Sequence, residues 1–202
     1  MARIDSREAL RALYGPAGER SLLKQMPRLD RHCRRFVELS PFILLATSGA
    51  DGLSDVTPRG DSPGFVIAAD DETLLIPDRP GNNRLDSMLN ILDRPGVGIL
   101  FLVPGIDETL RVNGIAEIRD DDDLRDRFAI DGKKPKTVLR VAVREAYLHC
   151  AKAFMRSKLW DPNVQIARDA MPSMGQMLKD QLNWATAETQ DEMIARYRQT
   201  LY

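Results

Sequence analysis

The stretch that decides the fold is Thr73–Leu92, TLLIPDRPGNNRLDSMLNIL. Its first four residues, Thr73-Leu74-Leu75-Ile76, are a short apolar run with a β-branched residue at each end, the pattern of a strand with little solvent contact. Pro77-Asp78-Arg79-Pro80-Gly81 then stops that strand, because two prolines and a glycine cannot continue it. Asn82 or Asn83 is placed to cap a helix whose apolar positions follow as Leu85, Met88, Leu89 and Leu92. The unpaired amides of a helix start, together with its dipole, attract a phosphate, and Arg84 would add a charge-assisted hydrogen bond. A Pro/Gly/Asn turn also serves simply to cap a helix, so the turn alone leaves both readings open.

Around this stretch, strand signals come close together: Phe42–Thr47, Ser54–Arg59, Phe65–Ala69, Val97–Val103, Glu108–Arg119 and Thr137–Val143, the last able to run on to Cys150. Tight Gly/Asp turns with no helices between the early strands require antiparallel pairing. Gly114 marks a bulge or bend. Six or seven strands, with one helix inserted midway and helices at both ends, fit a closed antiparallel barrel better than a doubly wound sheet. Asp5 or Ser6 can cap a helix through Tyr14 that Gly15-Pro16 ends. Between Pro27 and Pro41, the spacing of Leu29, Cys33, Phe36, Val37 and Ser40 predicts a helix packed on the sheet, with Cys33 a small core residue. Asp120–Phe128 reads as a short acidic-capped helix. The tail from Met174 reads as helical, with Met193, Ile194, Tyr197 and Leu201 forming one apolar stripe.

At 202 residues the chain suits one domain with appendages. Lysine plus arginine number 29 against 30 acidic residues, so overall charge gives no reason to expect nucleic acid or an anionic membrane as partner. Any basic site must therefore be local. Cys33 and Cys150 form no CxxC and read as free thiols of a reducing cytoplasm. No apolar run approaches the roughly 20 residues needed to span a bilayer. Glycine-rich nucleotide loops, a zincin motif and a nucleophile elbow are all missing, and Asp120–Asp123 reads as helix dressing rather than a metal site. What remains is a set of cations near turns: Arg59, Arg79, Arg84, Arg111, Lys152, Arg156 and Lys158.

The order of a PRGD turn (Pro58–Asp61), a GF strand, the LLIPDRPGNNR turn, a helix, an apolar strand and TLRVNGIAEI resembles the pyridoxamine 5′-phosphate oxidase-related flavoproteins over roughly residues 36–160. The resemblance implies a six-stranded antiparallel Greek-key split β-barrel, mainly β with peripheral helices, and a homodimer with FMN at the subunit interface. Residues 1–40 would then be a helical extension, 41–160 the barrel core and 161–202 a C-terminal helical segment of the same domain. It places the flavin along Thr57, Pro58 and Arg59 and along Ile76, Pro77 and Asp78, with the phosphate at Arg59, Asn83 and Arg84. His149, Lys152, Arg156 and Trp160 would complete the partner's groove. The chain lacks the C-terminal substrate-binding arginine and Arg-Leu-x-Pro ending of the namesake oxidase, so a different, unknown substrate is implied. The expected function is that of a cytoplasmic FMN-dependent oxidoreductase. The alternatives are a non-enzymatic flavin-binding or haem-handling protein, for which His149 would be the axial candidate, and a deazaflavin-dependent reductase.

Overall fold

The computed structural model describes residues 3–202. Three helices lead into the sheet: α1 (Arg7–Tyr14), α2 (Glu19–Leu23) and α3 (Arg31–Leu39). Ser6 caps α1 and Gly15 ends it, as the sequence predicts. Asp30 caps α3 by accepting the amides of His32 and Cys33, which turns Cys33, Phe36 and Val37 onto the sheet.

Seven strands follow among the described residues, within the six or seven read from the sequence and one more than the six the resemblance implies: β1 (Phe42–Ser48), β2 (Ser54–Gly60), β3 (Ile67–Ala68), β4 (Thr73–Pro77), β5 (Gly96–Leu102), β6 (Thr109–Arg119) and β7 (Val138–His149). They form one antiparallel sheet in the order β2-β1-β5-β6-β7-β4-β3. The expected closed ring of hydrogen bonds is not made, and the sheet is a split barrel with β2 and β3 as free edges. Two features keep it open. Pro58 removes a donor from β2, and β3 is only two residues long because Phe65 and Val66 are buried in the turn before it rather than in a strand. Side chains span the split instead: Arg59 near the end of β2 pairs with Asp78 just after β4 at 2.8 Å, and Asp61 pairs with Arg79 at 2.7 Å.

The core lies inside the curl, where Ile43, Leu45, Ile99, Phe101, Leu110, Val112, Leu74, Ile76, Leu139 and Val141 meet Leu29 and Val37. β4 is buried along its whole length, the low-contact strand that Thr73–Ile76 announced. Gly114 sits at the β6–β7 register shift, where an added Cβ would fall 2.5 Å from the Ala142 carbonyl oxygen. The bulge therefore needs glycine.

Two expectations about helices are corrected. The helix after the central turn, α4 (Asp86–Asp93), starts later than Asn82 or Asn83, and neither asparagine caps it. Instead Asn83 and Leu85 take left-handed conformations, with φ of 58° and 61°. Its buried face is Ser87, Met88 and Ile91, while Leu85, Leu89 and Leu92 are exposed. Both stripes have helical spacing, and the hydrogen bond from Asn90 Nδ2 to the buried Thr47 Oγ1 fixes which one faces β1.

After β6, α5 (Asp122–Asp126) carries Asp122 and Asp123 in its first turn, and Asp121 and Asp122 pair with Arg119 and Arg125. After β7 comes α6 (Lys152–Ser157), then two short 3-10 turns. The tail is two helices, α7 (Met174–Leu182) and α8 (Gln190–Arg198), interrupted at Asn183 rather than continuous. Of the expected stripe only Met193 is buried, and Tyr197 and Leu201 are exposed. No helix of the described residues is long and apolar enough to cross a membrane.

Candidate functional site

The alternation of β2 turns Asp55, Thr57 and Arg59 to its half-buried side. They face the loop that leaves β4, and between them lies a cleft of about 430 Å³ lined by Thr57, Pro58, Arg59, Asp78, Asn83 and Arg84, with Asp55, Arg79 and Asp86. Six of the twelve site residues expected from sequence therefore share one cleft. Ile76 and Pro77 are buried in β4 and reach it only through the chain leading to Asp78.

Each arginine here already faces a carboxylate. Arg59 Nη1 donates to Asp78 Oδ1 at 2.8 Å, but its Nε is buried with no hydrogen-bond partner among the described residues. Arg84 is mostly exposed, and its Nε donates to Asp86 Oδ2 at 2.8 Å, while its amide is held by Asn82 Oδ1 at 3.0 Å. Arg79 is turned inward: its Nε donates to Asp61 and its Nη1 to the Phe128 carbonyl. Asp61 also accepts the Tyr202 hydroxyl at 2.7 Å. Burial pushes the Asp61 carboxyl up, yet donation from Tyr202, the Ser62 amide and Arg79 outweighs it and holds the group below the usual carboxylate range. No sequence signal links Asp61 to a residue so distant.

His149, Lys152 and Arg156 lie elsewhere. They line a second cleft, of about 520 Å³, on the outer face of β1, β5 and β6 beneath α6. Register builds it: Leu44 pairs with Leu100 and Leu100 with Arg111, and in the next row on that face Ala46 pairs with Gly98 and Gly98 with Asn113. Burial holds the His149 imidazole below its ordinary pKa, and Arg111 and Lys24 push the same way. Trp160 lines neither cleft, since its indole donates to the Ile106 carbonyl at 2.9 Å and its ring packs on Phe154. Arg111, Thr109 and Asn113 belong to this second cleft through strand alternation, a signal present in the sequence but not decisive without the register. Among the described residues, no group of three or more His, Cys, Asp or Glu side chains is arranged to hold a metal ion.

A sequence model of the pyridoxamine 5′-phosphate oxidase family matches residues 29–150, more than half of the chain. The chain belongs to that family. The match runs from the residue before Asp30, the cap of α3, to the end of β7, and so contains all seven strands and the first cleft. Among solved structures, a histidine-to-alanine variant of HupZ from Group A Streptococcus superposes with a TM-score of 0.51 at 18% identity, over 60% of this chain and 99% of that one. General Stress Protein 26 from Bacillus anthracis gives 0.44 at 15% identity, over 58% and 93%. An FMN-binding protein from Syntrophomonas wolfei gives 0.44 at 12% identity, over 71% and 96%. At these identities the HupZ superposition speaks for the fold alone. No curated protein matches the chain in sequence.

Proposed function

We propose that this family member is an FMN-dependent oxidoreductase whose first cleft holds the phosphate end of the flavin. The observation that carries the reading is Arg59, whose buried Nε lacks an acceptor at a wall shared with Arg84, Asn82 and Asn83. A phosphate supplies acceptors to that whole set, so the residues fit the group. The loop around it is also strained. Asn83 and Leu85 hold left-handed conformations, at a cost on the order of 1–3 kcal/mol each, and such strain gathers at ligand clamps.

Bound FMN supplies hydride acceptance and donation at its ring. The chain's part is to bind and orient: Arg59 and Arg84 receive the phosphate charge, and Thr57 and Pro58 border the path along β2. Asp78 and Asp86 hold the two guanidiniums in place until a ligand takes them over.

The reading includes a homodimer with the flavin between subunits. Val56, Leu85, Leu89 and Leu92 are exposed apolar side chains, two of them, Val56 and Leu85, lining the first cleft, and an obligate interface of more than about 2,000 Å² would cover them. His149, Lys152 and Arg156, which stand apart from Arg59 within one chain, then face the partner's flavin. The substrate differs from pyridoxamine phosphate. Mass spectrometry of the small molecule released on denaturation tests the cofactor: FMN supports the reading, and haem or a deazaflavin contradicts it. A monomer at micromolar concentration by sedimentation, with flavin still bound, contradicts the dimer.

A further inference from the structure

We propose that the second cleft binds an organic anion with an apolar body, whose acid group meets Arg111, Lys152 and Arg156 while its apolar part lies on Leu44, Ala46, Leu100 and Phe154. The role of this anion as substrate rests on the flavin reading above; its binding does not.

Charge and shape carry the proposal. Arg111, His149, Lys152 and Arg156 line the cleft and, among the described residues, no carboxylate does. Arg111, Lys152 and Arg156 form no salt bridge among the described residues. Arg111 Nη1 donates to the Tyr147 hydroxyl at 2.7 Å, a contact that fixes the guanidinium without neutralising it. Glu145, beside Asn113 in the same row, is engaged by the amides of Asn113 and Gln25. In a chain of net charge −1, a basic cleft without acidic partners is a local exception, and mutual repulsion of its cations is relieved by an anion.

The floor excludes a bare inorganic ion as the whole ligand. Leu44, Ala46, Leu100, Ala153 and Phe154 are apolar, and Gly98 leaves a hollow between Ala46 and Asn113, where an added Cβ would lie 3.3 Å from Asn113 Oδ1. A cleft of this size with an apolar floor and a few convergent polar groups is the usual form of a small-molecule site.

The test is calorimetric titration of the purified, full-length protein with naphthalene-2-sulfonate, the neutral naphthalene-2-sulfonamide and inorganic sulfate. The sulfonate should bind at least tenfold more tightly than either comparison ligand. Arg111→Met and Arg156→Met should each weaken it by roughly ten- to hundredfold, the loss expected for one hydrogen-bonded charged partner. Both side chains are exposed, so thermal unfolding should be unchanged. Equal binding of sulfonate and sulfonamide, or affinity unchanged in both variants, overturns the proposal. So does sulfate binding as well as the sulfonate. Arg59→Ala, carried alongside, separates the two readings. If it loses FMN and keeps the sulfonate, the anion site stands by itself; if it loses both together, the probe sits on the flavin and the site is refuted.

Discussion

The two clefts are both walled by cations, but they hold them differently. In the first, Arg59, Arg79 and Arg84 face Asp78, Asp61 and Asp86, so the charge is balanced before any ligand arrives. In the second, Arg111, Lys152 and Arg156 pair with no carboxylate among the described residues. A ligand entering the first must compete with carboxylates for prepositioned guanidiniums. One entering the second meets bare positive charge over an apolar floor. Position and charge have thus been separated: the first cleft is built for geometry, the second for attraction.

The largest expected contrast is in thiol chemistry, because Cys150 lines the second cleft while Cys33 is buried beneath α3. Burial, then the hydrogen bond to Asp30, pushes the Cys33 thiol from 9.0 up to about 12, which lowers its thiolate fraction about a thousandfold. Ellman's reagent, itself an aromatic anion, should therefore titrate one fast thiol and a second only on unfolding. Naphthalene-2-sulfonate should slow the fast one. Two fast thiols would mean that α3 is not docked as described.

Next in size is Arg79→Ala. Asp61 is 2% exposed in its side chain, and removing its partner strands a buried carboxylate, so unfolding in urea should show a loss of about 3 kcal/mol. The Asp61 interactions also carry a pH signature. Its folded pKa lies below the unfolded value near 3.8, so their stabilisation is present above that pH and is lost as pH falls through the folded value. In Arg79→Ala the acid limb should flatten. An unchanged midpoint would place Arg79 among the solvated charges.

Smaller is Asp86→Asn, which removes the carboxylate competing for Arg84. Exposed pairs are worth about 0.2–1 kcal/mol, so FMN affinity should rise by up to about fivefold, read by fluorescence quenching. Weaker binding would show that Asp86 organises Arg84 rather than competing for it.

The smallest concerns His149. Burial first, then Arg111 and Lys24, holds it below 6.5. The unfolded chain takes up the proton first, so this group costs stability as pH falls from 6.5 toward the folded value. Arg111→Met should raise the folded pKa by a fraction of a unit in an NMR titration. No movement would place Arg111 outside electrostatic reach of the imidazole.

Most of the fold was legible because it was written locally. The Gly/Asp turns, the alternation in Glu108–Arg119 and the glycine at position 114 each report a backbone requirement that neighbouring residues make visible. The start of α4 was not legible. Asn82 and Asn83 have the chemistry of caps, yet the chain spends Asn83 and Leu85 on left-handed turns that aim Arg84 back toward the cleft. Its two apolar stripes were equally periodic, so only the Asn90–Thr47 contact distinguishes them. In the site, the half built from Thr57–Arg59 and Asp78–Arg84 was readable as sequence order. The pairing of every arginine there with a carboxylate was not, since Arg59 and Asp78 meet only once the sheet curls.

The central claim is that Arg84 and its loop bind the FMN phosphate, and titrating FMN into the apoprotein and into Arg84→Ala tests it most directly. Arg84 is 74% exposed in its side chain and pairs only with a neighbour two residues away, so its loss should leave the fold intact. The account predicts affinity weakened by roughly ten- to hundredfold, the equivalent of about 1.5–3 kcal/mol, at unchanged thermal stability. Wild-type affinity in Arg84→Ala would contradict it and leave the turn as a strained entry to α4 with no phosphate role.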